Sequence, residues 1–124
     1  MYRLSVTRHF DSAHFLRGYE GKCEALHGHR YEVKLTVAST ILNDIGLAFD
    51  FTGLKNELDA VIAEYDHHCL NDVPPFGNIN PSAENIAETI YRELKGRIEK
   101  APVKIQEIEV WESPDSSATF IPDE

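Results

Sequence analysis

Apolar and polar residues alternate in two early stretches of the chain. Tyr2, Leu4, Val6 and Phe10 share one side of a loose alternation over residues 2–10. Tyr31, Val33, Leu35 and Val37 share one side of a stricter alternation over 31–38, with Glu32, Lys34 and Thr36 opposite. A period of two predicts a strand at each place, with one face turned to a core. GLAFDF, residues 46–51, reads as a short extended piece. From Thr52 the period lengthens. Leu54, Leu58, Val61, Ile62 and Tyr65 recur at the spacing of an amphipathic helix, with Thr52 as its N-cap. A loop rich in Pro, Gly and Asn (71–81) leads to Ser82, the expected cap of a second helix with the spine Ile86, Ile90, Leu94 and Ile98, closed by Pro102. Val103 and Ile105 then share one parity and Ile108, Val110 and Glu112 the other, which predicts a strand bulged near Gln106. SPDSS (113–117) reads as a turn before a last strand, ATFI.

The order strand, strand, helix, helix, strand, strand argues for an α+β fold, an antiparallel sheet with helices on one face. At 124 residues, without repeat or linker, residues 1–124 are expected to form a single domain. No apolar run is long enough to span a membrane. MYRLSVTRHFDSAHF contains no stretch resembling a signal peptide, which points to the cytoplasm and to free thiols at Cys23 and Cys69. With 12 basic against 21 acidic residues the net charge is −9, and no basic stripe offers a nucleic-acid surface. A locally positive site for a small anion remains compatible with that balance.

CEALHGHRYEV (23–33) concentrates the chemistry. His27 and His29 sit two apart, about 6.6 Å along a strand, and continue the parity of Tyr31 and Val33 toward the covered face. Gly28 between them permits a close approach to the backbone. If the first two strands pair antiparallel, His14 joins the pair. Three imidazoles with one open position make a catalytic zinc arrangement, whereas a structural zinc more often closes with thiolates. Cys23 is then either a fourth ligand or a reactive thiol beside Lys22. In YDHHCLND (65–72), Asp66 and His67 allow a proton relay. Read as the close of the first helix, its histidines instead complement the helix dipole. Glu112 extends the apolar face of Ile108 and Val110, where an unpaired carboxylate is costly, so it requires an internal salt bridge or a planar ligand with two adjacent N–H groups. A metalloprotease is disfavoured by the absence of a His-Glu-x-x-His helix.

FDSAHFL (10–16), CEALHGHRYEV, DF (50–51), YDHHCLND, NPSAENIA (80–87) and VWES (110–113) together resemble the 6-pyruvoyl-tetrahydropterin synthase family, and within it the bacterial 6-carboxytetrahydropterin synthases of queuosine biosynthesis. The resemblance implies the tunnelling fold, a four-stranded antiparallel ββααββ sheet with two helices on one face. It also implies a homo-oligomer in which sheets of three subunits join into a barrel, commonly stacked as a hexamer, with active sites at subunit interfaces. It assigns His14, His27 and His29 to Zn²⁺, Cys23 to the catalytic thiol, Asp66 and His67 to a relay, and Glu112 to the pterin ring. The implied reaction converts 7,8-dihydroneopterin triphosphate to 6-carboxy-5,6,7,8-tetrahydropterin, acetaldehyde and triphosphate. The alternatives are triphosphate elimination to 6-pyruvoyl-tetrahydropterin and a non-catalytic zinc-binding assembly module. The compact Cys-x-x-x-His-Gly-His spacing is associated with the queuosine branch. Arg17, Lys22 and Arg30 are candidates for the triphosphate, while His9, His68 and Cys69 read as structural.

Overall fold

The computed structural model of the protein describes residues 1–100 and 102–123. Its elements are β1 (Tyr2–His14), β2 (His27–Ser39), α1 (Phe51–Ile62), α2 (Ala83–Ile98), β3 (Lys104–Ser113) and β4 (Ser116–Phe120), with a short 3₁₀ turn at Leu70–Asp72. The strands form one antiparallel sheet in the order β1-β2-β3-β4. Both helices cover the same face of it. Among the described residues, no helix is long and apolar enough to cross a membrane.

Burial follows the alternation. Val6 and Phe10 of β1 and Tyr31, Val33, Leu35 and Val37 of β2 are buried under Leu54, Leu58 and Val61 of α1 and Ile86, Ile90, Leu94 and Ile98 of α2. In β3, Ile105 and Ile108 differ in parity yet both face the core. Thr36 pairs with Glu107 and Val37 with Ile105, so Gln106 is the extra residue of a bulge. Ser82 caps α2, its hydroxyl accepting the Asn85 N–H at 3.1 Å.

Three local expectations are corrected. The N-cap of α1 is Asp50, not Thr52: the Asp50 carboxylate accepts the Thr52 N–H at 2.9 Å, and the helix begins at Phe51. Residues 46–51 form no strand. The Asn43 side chain accepts the N–H groups of Ile45 and Leu47, each at 3.0 Å, closing the chain into a turn. The Phe49 ring then packs on the first turn of α1, 3.2 Å from where a Cβ of Gly53 would stand. Finally, α1 stops at Ile62, so YDHHCLND lies beyond the helix, although Tyr65 still continues its buried stripe.

Candidate functional site

Antiparallel register brings the three histidines together. His14, the last residue of β1, pairs with His27, the first of β2, and His29 follows on the same face. His14 is 1% exposed, and its Nδ1–H donates to the Pro81 carbonyl at 2.8 Å. His27 Nδ1–H donates to the Ala25 carbonyl at 2.8 Å. A carbonyl only accepts, so both rings carry their proton on Nδ1 and turn a bare Nε2 inward. Those two Nε2 atoms lie 3.1 Å apart, and His29 Nε2 is buried with no partner. The two bare lone pairs of His14 and His27, held this close, repel unless a cation sits beside them, and His29 supplies a third ring nitrogen at the same place. Ligand nitrogens of a tetrahedral zinc stand ~3.3–3.4 Å apart, close to the spacing found. Burial, followed by the neighbouring His14 and His27, lowers the His29 pKa against the opposing pull of Glu112, which favours the neutral, metal-competent ring.

Glu112 completes this end of the sheet. Its carboxylate lies 3.4 Å from His29 Nε2 and 3.9 Å from His14 Nε2. The sequence offered a salt bridge or a ligand; the carboxylate's neighbours within the chain are imidazoles. A cleft of about 610 Å³ opens beside it, lined by Gly28, His29, Arg30, Trp111, Glu112 and others. Such a volume suits a small molecule. Ser12 O, the nearest atom to a Cβ built on Gly28, is 3.6 Å away, an ordinary contact. Packing within the chain therefore does not demand glycine there, and the bare backbone faces the cleft. A second cavity, of about 570 Å³, lies at the opposite end of the sheet, against Arg3, Ser39 and Lys104, away from the histidines.

Asp66 and His67 touch directly, Asp66 Oδ1 to His67 Nδ1 at 3.0 Å. The helical geometry that would splay them does not apply, because His67 adopts φ 59°, in the left-handed region. That turn is pinned on β1: the Asp11 N–H donates to Asp66 Oδ1 at 2.9 Å, and the His67 N–H donates to the Asp11 carbonyl at 2.6 Å. The Asp11 amide, with the His67 ring adding to it, holds the Asp66 carboxyl below its usual range against the opposing effect of burial. Asp66 is thus ionised at neutral pH, takes the Nδ1 proton of His67 as a hydrogen bond, and leaves Nε2 free to exchange a proton. The ring is 78% exposed.

Cys23 is exposed and joins neither the three-imidazole group nor the group formed by Asp11, Asp66 and His67. Its reading as a fourth ligand has no support among the described residues. Arg17 donates to the Phe76 carbonyl at 2.8 Å and the Ile79 carbonyl at 3.4 Å, a structural tie. Arg30 faces the cleft. His9 pairs with Glu32 at 2.9 Å, and His68 Nδ1–H donates to the Asp66 carbonyl at 2.7 Å.

Some participants went unread in the sequence. Asp11 lies within FDSAHFL, just beyond the predicted strand 2–10, with no role of its own. Tyr31 was counted as core. The Pro81 carbonyl that fixes His14 has no side-chain signal at all.

An α+β sheet with three inward imidazoles at one end, a carboxylate beside them and an adjoining cleft describes a protein with a cluster able to hold a metal ion and room for a small ligand. The chain matches the family described as 6-pyruvoyl tetrahydropterin synthase over residues 3–123. It belongs to that family. It is 34% identical over 129 residues to the 6-carboxy-5,6,7,8-tetrahydropterin synthase of Bacillus subtilis, covering 98% of this chain and 86% of that one. Identity to the protein of the same name from Synechocystis sp. is 35% over 116 residues, covering 90% and 86%. Among solved structures, Caenorhabditis elegans 6-pyruvoyl tetrahydropterin synthase shares the fold with a TM-score of 0.86 at 23% identity, covering 98% and 96%. The Plasmodium falciparum protein of that name gives 0.79 at 27% identity, covering 96% of each chain.

Proposed function

We propose that the chain is a zinc-dependent 6-carboxy-5,6,7,8-tetrahydropterin synthase acting on 7,8-dihydroneopterin triphosphate. The observation that carries the metal-dependent reading is the tautomer lock: two histidines spend Nδ1–H on backbone carbonyls, and three Nε2 atoms converge. The pterin class is supported by the relatives' names, and the carboxy branch by those names together with the compact Cys23-to-His27 spacing.

His14, His27 and His29 hold the zinc, which when bound supplies Lewis acidity toward the substrate's side-chain hydroxyls. Glu112 takes the amino-pyrimidine edge of the pterin by two parallel hydrogen bonds. Cys23 accepts a proton from the substrate side chain, and Asp66 orients His67 to pass protons on. Arg30 meets the triphosphate. Since Cys23 makes no contact with the relay in its own chain, we place the complete site between subunits. The outer edge of β1 before Asp11, which pairs with no strand among the described residues, supports this, because native proteins cover or otherwise protect such edges. A trimeric barrel, stacked as a hexamer in the cytoplasm, is the assembly we expect.

The test is anaerobic incubation of zinc-replete protein with 7,8-dihydroneopterin triphosphate, with mass spectrometry and hydrazone trapping. Carboxytetrahydropterin with stoichiometric acetaldehyde is the expected outcome. Pyruvoyl product without acetaldehyde would move the chain to the elimination branch, and unchanged substrate would sink both.

A further inference from the structure

Tyr31 carries an unexplained hydroxyl. The residue is 0% exposed, and its hydroxyl oxygen has no hydrogen-bond partner among the described residues. Its ring stacks on Phe10 with centroids 4.8 Å apart and planes 12° apart, and stands edge-on to His14 and His29 at 5.8 and 5.5 Å. For packing alone phenylalanine would serve better, since a buried hydroxyl left unpaired is a net cost.

The acceptor that matches it is one strand away. Glu32 pairs with Trp111 and Val33 with Val110, so extending the β2–β3 register by one residue sets Tyr31 opposite Glu112, both on the covered face. Side chains so placed start ~4.5–5.5 Å apart at Cβ. Among the described residues, the Glu112 carboxylate, 33% exposed, has only imidazoles as charged neighbours. Its imidazole contacts are at 3.4 and 3.9 Å, and the farther ring, His14, has its proton on the other nitrogen. The tyrosine ring is fixed by its three aromatic neighbours, whereas a glutamate has free torsions. The mobile partner therefore comes to the fixed one.

We propose that the Tyr31 hydroxyl is a positioning donor for Glu112, holding the carboxylate away from the imidazoles and toward a planar ligand in the cleft. This rests on the reading of Glu112 as the pterin anchor. Tyr31 acts through Glu112 rather than on the reacting atoms, so its loss weakens ligand binding without slowing chemistry. A hydrogen bond to a charged group makes that loss roughly ten- to a hundredfold.

Trp111 is the chain's single tryptophan and lines the cleft, so its fluorescence reports binding. Neopterin is titrated into zinc-loaded wild type, Tyr31→Phe, Glu112→Ala and the double variant, with zinc content and subunit assembly checked for each. The expected result is at least tenfold weaker binding in Tyr31→Phe, and no further loss from Tyr31→Phe when Glu112 is already alanine. With 7,8-dihydroneopterin triphosphate, KM rises and kcat stays within about threefold. Unchanged affinity in Tyr31→Phe, with Glu112→Ala weakened, overturns the positioning role alone. Additive losses overturn it too, since they give Tyr31 an effect independent of Glu112. If Glu112→Ala itself binds normally, the anchor reading falls and the proposal falls with it.

Discussion

Removing the metal from His14, His27 and His29 should lower the thermal midpoint, and replacing one of them should abolish that response. Nothing that occupies the point between the three Nε2 atoms has a counterpart in the unfolded chain, so occupancy stabilises the native state by mass action. At free zinc a hundredfold above its dissociation constant the gain is about 2.7 kcal/mol. For a chain of this length each 1 kcal/mol moves the midpoint by roughly 3–5 °C, so zinc against chelator should separate the melts by about 8–13 °C.

The choice of variant decides whether the result can be read. His14 is 1% exposed and packs edge-on against Tyr31, so truncating it opens a cavity as well as removing a ligand. His27 is half-buried at the mouth of the site, with only the Ala25 carbonyl on its other nitrogen. His27→Ala should leave the metal-free midpoint within about 1 kcal/mol of wild type. The assay is calorimetry at one protein concentration, with zinc or with chelator, on wild type and His27→Ala. A zinc-dependent shift of equal size in both proteins would refute the three-imidazole site. A wild type indifferent to zinc would refute it as well.

Other tests follow from individual contacts. The Tyr65 hydroxyl donates to Glu93 at 2.5 Å, and burial raises the Glu93 pKa, so Glu93→Gln, which keeps an acceptor, should leave the midpoint at pH 7 unchanged or higher. Glu93→Leu orphans the hydroxyl and should cost about 1–3 kcal/mol by urea melts. Asp66 has a folded pKa below its unfolded value, so its contribution is present above the unfolded pKa and is lost as pH falls through the folded one. Asp66→Asn should therefore flatten the acid limb of the stability–pH curve by lowering stability at neutral and alkaline pH, with wild type and variant converging at the acid end. Gly28→Ala adds a Cβ that meets only an ordinary contact with the Ser12 carbonyl, so its melt should match wild type while neopterin binding weakens; unchanged binding would remove the backbone from the cleft wall. Asp50→Ala should cost about 1 kcal/mol and Thr52→Ala much less, which urea melts can separate.

What could be read from the sequence divides along the kind of information each feature uses. Strand faces and helix stripes are periodic, and period survives in one dimension. Val33 and Leu35, or Ile90 and Leu94, identify their own burial. The bulge at Gln106 was equally legible, since a parity change within one strand has no other economical cause. The three-histidine group needed one step more. His27 and His29 share a face by spacing alone, but His14 joins them only through the register that sets it against His27. That register follows from matching two hydrophobic faces, because a one-residue slip would turn His14 and Phe10 outward.

Contacts made by backbone atoms or by chain reversal left no periodic trace. Thr52 was the plausible cap because its side chain can accept, yet Asp50 stands two residues earlier and its shorter reach to the Thr52 amide decides where α1 begins. The stripe through Tyr65 suggested a helix continuing to Asp66 and His67, in which adjacent side chains point apart. Tyr65 is buried by a turn that reproduces the helical spacing, and the left-handed backbone at His67 swings the two side chains together. Such a conformation in a residue with a Cβ persists only where surroundings over-determine it, and here the surroundings are the amide and carbonyl of Asp11. Both partners of that clamp lie on a sheet edge some fifty residues away in sequence. A pattern read along the chain registers the aspartate and the histidine; only the fold supplies the strand that makes them a pair.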